Sequence, residues 1–288
     1  MNLYGMVARR LLIGRFSVKR LIGSIVLVYV SLLLCTYLCS DRMIFQPQQS
    51  AYQDSAEILK IETEDGAHLS ALYFSNANAE FTILYSHGNA EDLGDIRPLL
   101  EIFRKQGFSV FAYDYRGYGT SQGRPSEKNA YRDVEAAYKY LVEALEVPPK
   151  RIIAHGRSLG GALAIHLACQ EQIAGLILES SFVTAFRVIT HVPLAPFDKF
   201  RNIDKIRDVQ CPVLVIHGTD DQIVPLWHGQ SLFDQANEPK LHLWVEDAGH
   251  NDIIWVDDTR CWDMIKKLAR ISRTNGGSHL RKGLLPLT

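Results

Sequence analysis

An α/β domain with a mostly parallel sheet and helices on both faces is the fold this sequence predicts, and three observations predict it. Short runs rich in β-branched residues alternate with longer helical patterns, as expected of strand–helix–strand crossovers. At 288 residues and 47% hydrophobic content, the chain can fill one large core. A short apolar run also passes directly into a helical pattern through AHGRSLGGA, Ala154 to Ala162. Such a turn belongs at the carboxyl edge of a parallel sheet.

The first forty residues stand apart. Leu21 to Cys39 (LIGSIVLVYVSLLLCTYLC) has no charged residue and no proline. As a helix this stretch spans about 28 Å, close to the ~30 Å hydrocarbon core of a bilayer. It is longer than a secretory apolar region of about 7–15 residues, and its Tyr-Leu-Cys-Ser ending is a poor cleavage site. A retained transmembrane anchor is therefore preferred over a cleaved leader or a buried core helix. The expected organisation is a basic segment over 1–20, an anchor over 21–40, a linker over 41–56, a domain over 57–273 and a flexible tail over 274–288. Arg9, Arg10, Arg15, Lys19 and Arg20 precede the anchor, whereas Asp41 and Arg42 follow it. That asymmetry puts the N-terminus on the cytoplasmic side and the domain outside the cell or in a lumen.

Within the domain, Ile58 to Glu62 and His68 to Phe74 flank Glu64-Asp65-Gly66 and read as a hairpin. Phe81 to Ser86 is a buried strand pattern, Leu93 to Gln106 a helix, and Ser109 to Tyr113 a strand leading into the glycine-dense loop Tyr115 to Gly123. From Glu127 to Leu145, Ala130, Val134, Ala137, Tyr138 and Leu141 recur at helical spacing, and Pro148-Pro149 ends the pattern. A strand at Arg151 to Ala154, a helix at Ser158 to Gln170 and strands at Ile173 to Leu178 and Val213 to His217 follow. Lys240 to Val245 as strand and Thr259 to Arg270 as helix complete the order. Ser181 to Asp208, with its phenylalanines and two prolines, breaks the rhythm and reads as a small lid.

Composition narrows the chemistry. Charge is nearly balanced, 31 basic against 32 acidic residues, and no basic tract carries interleaved aromatics, so nucleic acid is excluded as a partner. Cys35 and Cys39 fall near the end of the apolar run and read as lipid-facing. Cys169, Cys211 and Cys261 have neither zinc-site nor disulfide-framework spacing, though one bridge between them stays open.

Gly156-Arg157-Ser158-Leu159-Gly160 satisfies G-x-S-x-G between a strand and a helix. A sharp turn there strains the serine backbone, needs glycine-sized neighbours, and exposes Oγ beside free N–H groups at a helix start. A serine hydroxyl is a weak nucleophile and needs a base, itself oriented by a carboxylate. HGTDDQIVP puts Asp220 and Asp221 after one strand, and EDAGHND puts His250 after the next. Both loops leave the same sheet end as the serine turn. His87 reads as packing or loop support, Asp114 as turn stabilisation, and Tyr115 and Arg116 as loop structure. His155, His166, His191, His217, His228 and His242 suggest no metal site.

With these motifs the chain resembles the α/β-hydrolase superfamily, in its small-lidded, often membrane-anchored serine hydrolase branch of abhydrolase-domain proteins. The resemblance covers about Glu57 to Ile271 and rests on HGNAED (His87 to Asp92), DYRGYGTSQGRPSE (Asp114 to Glu127), GRSLGG (Gly156 to Gly161), HGTDDQIVP (His217 to Pro225) and AGHND (Ala248 to Asp252). It implies the α/β-hydrolase fold, with Ser158 as nucleophile, His250 as base and Asp221 rather than Asp220 as acid. The backbone N–H groups of Asn89 and Leu159 are the implied oxyanion hole. Arg157 is a departure, since glutamine or histidine is frequent there in relatives, and it bears on substrate charge preference.

The expected activity is hydrolysis of carboxylic esters or thioesters through an acyl-enzyme, without cofactor or metal. The anchor and the apolar lid residues Phe182, Phe186, Val192, Pro193, Leu194 and Phe197 favour small-molecule or lipid acyl substrates or acylated proteins. A serine peptidase or aminopeptidase and a non-catalytic membrane-tethered binding module are the alternatives. Oligomeric state is not readable.

Overall fold

The structure, a computed structural model, describes residues 17–190 and 192–278. Arg9, Arg10 and Arg15 of the basic segment, His191 of the lid and residues 279–288 of the expected tail lie outside the described residues. The chain divides into two units, Met1–Met43 and Ile44–Thr288.

The described part of the first unit is helical, from α1 (Val18–Ile44). The helix is long and apolar enough to cross a membrane, and its most apolar window has no buried residue. Apolar side chains exposed all round a helix differ from the single stripe of a surface helix on a globular core. The helix begins within the expected basic segment and runs past Cys39 because Val18, Met43 and Ile44 continue the same helix-compatible pattern without a proline or glycine stop.

The second unit is organised by an eight-stranded sheet. Its strands are β1 (Leu59–Glu62), β2 (His68–Phe74), β3 (Thr82–Ser86), β4 (Ser109–Tyr113), β5 (Ile152–Arg157), β6 (Gly175–Glu179), β7 (Val213–Gly218) and β8 (Lys240–Val245). They lie in the order β1-β2-β4-β3-β5-β6-β7-β8. The first hairpin is antiparallel, β2 pairs antiparallel with β4, and every other neighbour is parallel.

The helices between strands are α2 (Leu93–Lys105), α3 (Glu127–Glu143), α4 (Leu159–Gln170), α5 (Arg187–Thr190), α6 (Asn202–Lys205) and α7 (Trp227–Gln235), and α8 (Ile253–Val256) and α9 (Asp258–Ser278) follow β8. Strand residues alternate between two cores. Leu84, Ala154, Leu176, Leu178, Val213 and Val215 face one with residues of α3, α4 and α7. Ile83, Tyr85, Ile153, Ile177, Leu214 and Ile216 face the other with residues of α2 and α9. The two-residue period of a strand delivers successive side chains to opposite layers, so helices cover both faces as expected.

Local chemistry sets the boundaries. Asp92 caps α2 by accepting the Gly94 and Asp95 N–H groups, and Asp95 closes the reciprocal capping box. Pro149–Arg151 forms a 3-10 turn, so β5 starts at Ile152 and then continues through Arg157. Ile173 spends its N–H on Glu171, and β6 begins only at Gly175. The segment expected as a lid contains α5, α6 and a following 3-10 turn. Helix α7 has no counterpart among the sequence expectations, and α9 runs beyond Arg270. Phe45 is buried in the α3–α4 core, and the Ala51 N–H donates to Asp92 Oδ2 at 2.7 Å, holding residues 45–51 against the rest of the second unit.

Helix α4 is the centre of this packing, with Leu163 fully buried. Leu163→Ala is expected to lower unfolding stability by about 3 kcal/mol, the usual sum of lost transfer energy and residual cavity. Denaturant titration measures it, and a loss below about 1 kcal/mol contradicts this placement of the core.

Candidate active site

Ser158 is the joint between β5 and α4. Its backbone has φ 52° and ψ −113°, a positive-φ conformation that a residue with a Cβ adopts at a cost of about 1–2 kcal/mol. The Ser158 N–H is held by the Glu179 carbonyl at 2.8 Å, fixing the turn to neighbouring β6. A Cβ at Gly156 would collide with the Gly160 backbone, and one at Gly160 with the carbonyls of Ser86 and His87. The small residues flanking the serine are therefore imposed by main-chain approach.

The loops after β7 and β8 complete a hydrogen-bonded chain. Ser158 Oγ lies 3.0 Å from His250 Nε2, and His250 Nδ1 lies 2.7 Å from Asp221 Oδ2. In the tautomer this network favours, the Ser158 hydroxyl donates to Nε2 and Nδ1–H donates to the carboxylate. Asp221 Oδ1 accepts the Ile223 and Val224 N–H groups at 2.9 and 2.7 Å, so the acid is clamped by its own loop. Burial acts to raise the Asp221 pKa. Hydrogen bonds from His217 and His250, the His250 charge and the Val224 N–H outweigh it and hold the carboxyl well below the usual carboxylate range. Asp221 is thus kept as an anion able to orient imidazole and stabilise imidazolium.

Asp220 is exposed and takes part in the loop through its backbone: its N–H donates to the Ala248 carbonyl, and its carbonyl accepts Gln222 Nε2 at 3.3 Å. The chain of Ser158, His250 and Asp221 selected from the motifs is brought together. The other two expected groups are backbone amides. Leu159 N is at the start of α4, and Asn89 follows Gly88, where an added Cβ would come 3.9 Å from Ser158 Cβ. Among the described residues, neither amide has a hydrogen-bond partner, so both remain able to donate.

Charged residues that the motif reading left unassigned surround the elbow. Arg157 NH1 donates to Glu91 Oε1 at 2.6 Å, and NH2 donates to Asn251 Oδ1 at 2.5 Å. Arg157 Nε lies 3.9 Å from Glu179 Oε1. Glu91 Oε2 also accepts the Gly88 N–H at 2.9 Å, and Glu179 Oε2 pairs with His155 Nε2 at 3.0 Å. One guanidinium at the end of β5 thus joins the loop after β3, the end of β6 and the loop carrying His250. Burial acts to raise the Glu179 pKa, but hydrogen bonding and charge from His155, followed by the charges of Arg157 and His250, bring it below its ordinary value. No spacing rule signals these partners; each lies within a recognised motif or at a strand end, but their meeting is tertiary.

The remaining singled-out residues are structural. His87 is buried, stacks on Tyr115 with centroids 4.2 Å apart and lies 3.3 Å from Asp114. Asp114 accepts the Leu93 N–H at 2.9 Å and the Tyr52 hydroxyl at 2.5 Å, as expected of a turn-stabilising acid. Arg116 bridges Asp133 and Asp65. His166 meets Glu135, His217 meets the Val224 carbonyl, and His228 accepts the Val183 N–H. His242 packs against Phe233 and Trp244. Among the described residues, no group of His, Cys, Asp and Glu side chains is arranged to hold a metal.

Comparisons with known proteins agree with this architecture. A family model described as serine aminopeptidase, S33, matches residues 77–200. Human alpha/beta hydrolase domain-containing protein 17B is 38% identical over 218 residues, covering 74% of this chain and 75% of the human protein. The chain belongs to the α/β-hydrolase superfamily, among the abhydrolase-domain proteins. The nematode Caenorhabditis elegans alpha/beta hydrolase domain-containing protein aho-3 is 42% identical over 182 residues, covering 61% of this chain and 54% of its own. Among solved structures, the Pyrococcus furiosus esterase Pf2001 shares the fold with TM-score 0.66 and 22% identity, over 78% of this chain and 98% of the esterase. A Paleococcus ferrophilus monoacylglycerol lipase shares it with TM-score 0.56 and 21% identity, over 70% and 98% of the two chains.

In this abhydrolase, Arg157→Met strands Glu91 and Glu179 in a largely buried setting. The variant is expected to lose about 3 kcal/mol of unfolding stability, as for breaking one side of a buried ion pair. Adding Glu91→Gln is expected to recover part of that loss. A double-mutant cycle with no coupling between the two positions contradicts the bridge.

Proposed function

We propose that this abhydrolase is a serine hydrolase that cleaves carboxylic ester or thioester bonds through an acyl-enzyme. The observation that carries the reading is the continuous hydrogen-bonded chain from Ser158 Oγ through His250 to Asp221. His250 Nε2 takes the Ser158 proton as Oγ bonds to the acyl carbon, and the carbonyl π pair moves onto oxygen. The Asn89 and Leu159 N–H groups receive that oxyanion. Collapse of the adduct breaks the bond to the alcohol or thiol, which leaves with the proton from His250. Water then repeats the sequence: His250 takes its proton, hydroxide bonds to the acyl carbon, and Oγ departs with that proton. Serine, imidazole and carboxylate supply every group these steps require, so no cofactor enters the scheme.

An apolar acyl substrate at a membrane is the preferred class. Among the described residues after Met43, the exposed large apolar side chains are Ile189, Val192, Leu194, Ile223, Trp255 and Val256. All six sit in segments following β6, β7 and β8, which leave the same sheet edge as the triad. Such segregation of exposed apolar surface supports interaction with apolar matter at the mouth of the site. Helix α1 is read as a single-pass anchor, and the Lys and Arg bias ahead of it supports a cytoplasmic N-terminus with the domain on the extracytoplasmic or lumenal side. The expected division into anchor, linker, domain with lid and C-terminal tail is kept as part of this proposal.

The family description supports an aminopeptidase as the second reading. An aminopeptidase must neutralise a substrate ammonium. Around the elbow, Glu91 is engaged by Arg157 and Gly88, and Glu179 by His155, which favours ester or thioester over that reading.

A fluorophosphonate probe is expected to label the wild type and not Ser158→Ala; equal labelling of both refutes Ser158 as nucleophile. Asp221→Asn is expected to lower kcat by about 10⁴-fold through loss of the required imidazole orientation, whereas Asp220→Asn leaves it within about threefold. A panel of p-nitrophenyl esters of increasing chain length, acyl-thioesters and amino-acid anilides sorts the readings. Activity that rises with acyl length supports the preferred class, and activity confined to anilides supports the aminopeptidase.

A further inference from the structure

The segment leaving α1 is bonded to the residue whose amide is the proposed oxyanion donor. Asn89 Nδ2 donates to the Ile44 carbonyl at 2.6 Å, and the Gln46 N–H donates back to Asn89 Oδ1 at 3.1 Å. The Tyr118 hydroxyl donates to the same Oδ1 at 2.5 Å while accepting the Gln46 N–H at 3.1 Å. Between these polar contacts Phe45 is only 4% exposed, packed edge-on to Tyr118 and Phe200 with centroids 6.5 and 5.8 Å away. Residues 44–46 therefore form a strap, fastened by one aromatic plug and a closed set of hydrogen bonds.

The strap meets a strained turn. Ala90 has φ 62°, unfavourable for a residue with a Cβ, and its N–H donates to Asn89 Oδ1 at 3.2 Å. The Asn89 side chain thus holds the following peptide and both ends of the strap at once. Rotating it would break four hydrogen bonds at once, those to the Ile44 carbonyl and the Tyr118 hydroxyl being partly buried. An oxyanion donor acts only when its N–H is aimed before the charge develops, and a displacement near 1 Å is enough to cost about 10²-fold.

We propose that the strap Ile44–Gln46, through Phe45 and the Asn89–Tyr118 hydrogen bonds, is a positioning element that aims the Asn89 backbone N–H at the oxyanion. The inference rests on the serine hydrolase reading. It makes the segment that joins the apolar helix to the domain a working part of the site and gives Tyr118, within the glycine-dense loop, a role in catalysis without contact to substrate.

The test uses the full chain in detergent micelles with Tyr118→Phe and Phe45→Ala. Tyr118→Phe retains the packed ring and removes only the hydroxyl; Phe45→Ala removes the plug. Hydrogen exchange over residues 87–92 is expected to rise at least about tenfold in both variants, while α3 keeps wild-type protection. With p-nitrophenyl esters, kcat per fluorophosphonate-titrated site is expected to fall about tenfold in Tyr118→Phe, with KM within twofold, because the affected interaction is made in the transition state. A packing role alone lowers the titratable fraction or the Tm and leaves kcat per site unchanged. Unchanged exchange over residues 87–92 overturns the strap whether or not esters are cleaved, and raised exchange with unchanged kcat per site overturns its positioning role. Wild-type turnover that survives Ser158→Ala instead defeats the hydrolase reading, while the exchange result still decides the strap.

Discussion

Ser158 is held in a strained positive-φ backbone conformation at the point where β5 becomes α4, and the rest of the site is arranged around that constraint. The turn exists because the Gly160 backbone closes against both β5 and the Ser86–His87 chain, where no Cβ fits. Its cost, about 1–2 kcal/mol in the backbone, is offset by the buried α4 helix and by the Ser158 N–H bond to β6. Because parallel strands end on one edge, the loops after β7 and β8 arrive at that serine carrying Asp221 and His250. The sheet supplies proximity, and the loop hydrogen bonds supply aim.

Electrostatics then divides the carboxylates by task. Asp221 accepts two backbone N–H groups and an imidazole, so it remains an anion suited to orienting His250. Glu91 and Glu179 have a different occupation: Arg157 draws them together beside the elbow and links them to Asn251, next to His250 in the chain. Arg157 is therefore largely enclosed in a bridge among the loops, and its charge is paired there. This is a structural use of a position where the sequence suggested an effect on substrate charge.

Much of the fold was legible because strand and helix periods differ and because turn residues punctuate them. The hairpin around Glu64-Asp65-Gly66 and the serine turn both carry local signals that tertiary structure leaves intact. Helix α7 did not show itself, since WHGQSLFDQ buries only His228, Gly229 and Leu232 and has no regular apolar stripe. The β5 boundary shifted because a 3-10 turn absorbs Pro149–Arg151. At the site, Ser158 and His250 could be selected from motif position and chain order, and Asp221 over Asp220 from the family resemblance. The Arg157 bridge could not, because its hydrogen bonds span 66 and 94 residues of sequence and depend on three loops meeting. The strap was hidden for a similar reason: Phe45 falls in the expected linker over 41–56, and only the fold brings its ring among Tyr118 and Phe200.

The central claim is that a single hydroxyl becomes covalently acylated when imidazole and carboxylate align behind it. The most direct measurement is to quench a reaction with an activated ester during its first turnover and map the acyl group on the protein by peptide mass spectrometry. The account predicts a near-stoichiometric burst of the leaving group with the acyl mass on Ser158. Hydrolysis without a burst, together with acyl mass absent from Ser158 or carried by another residue, would contradict it.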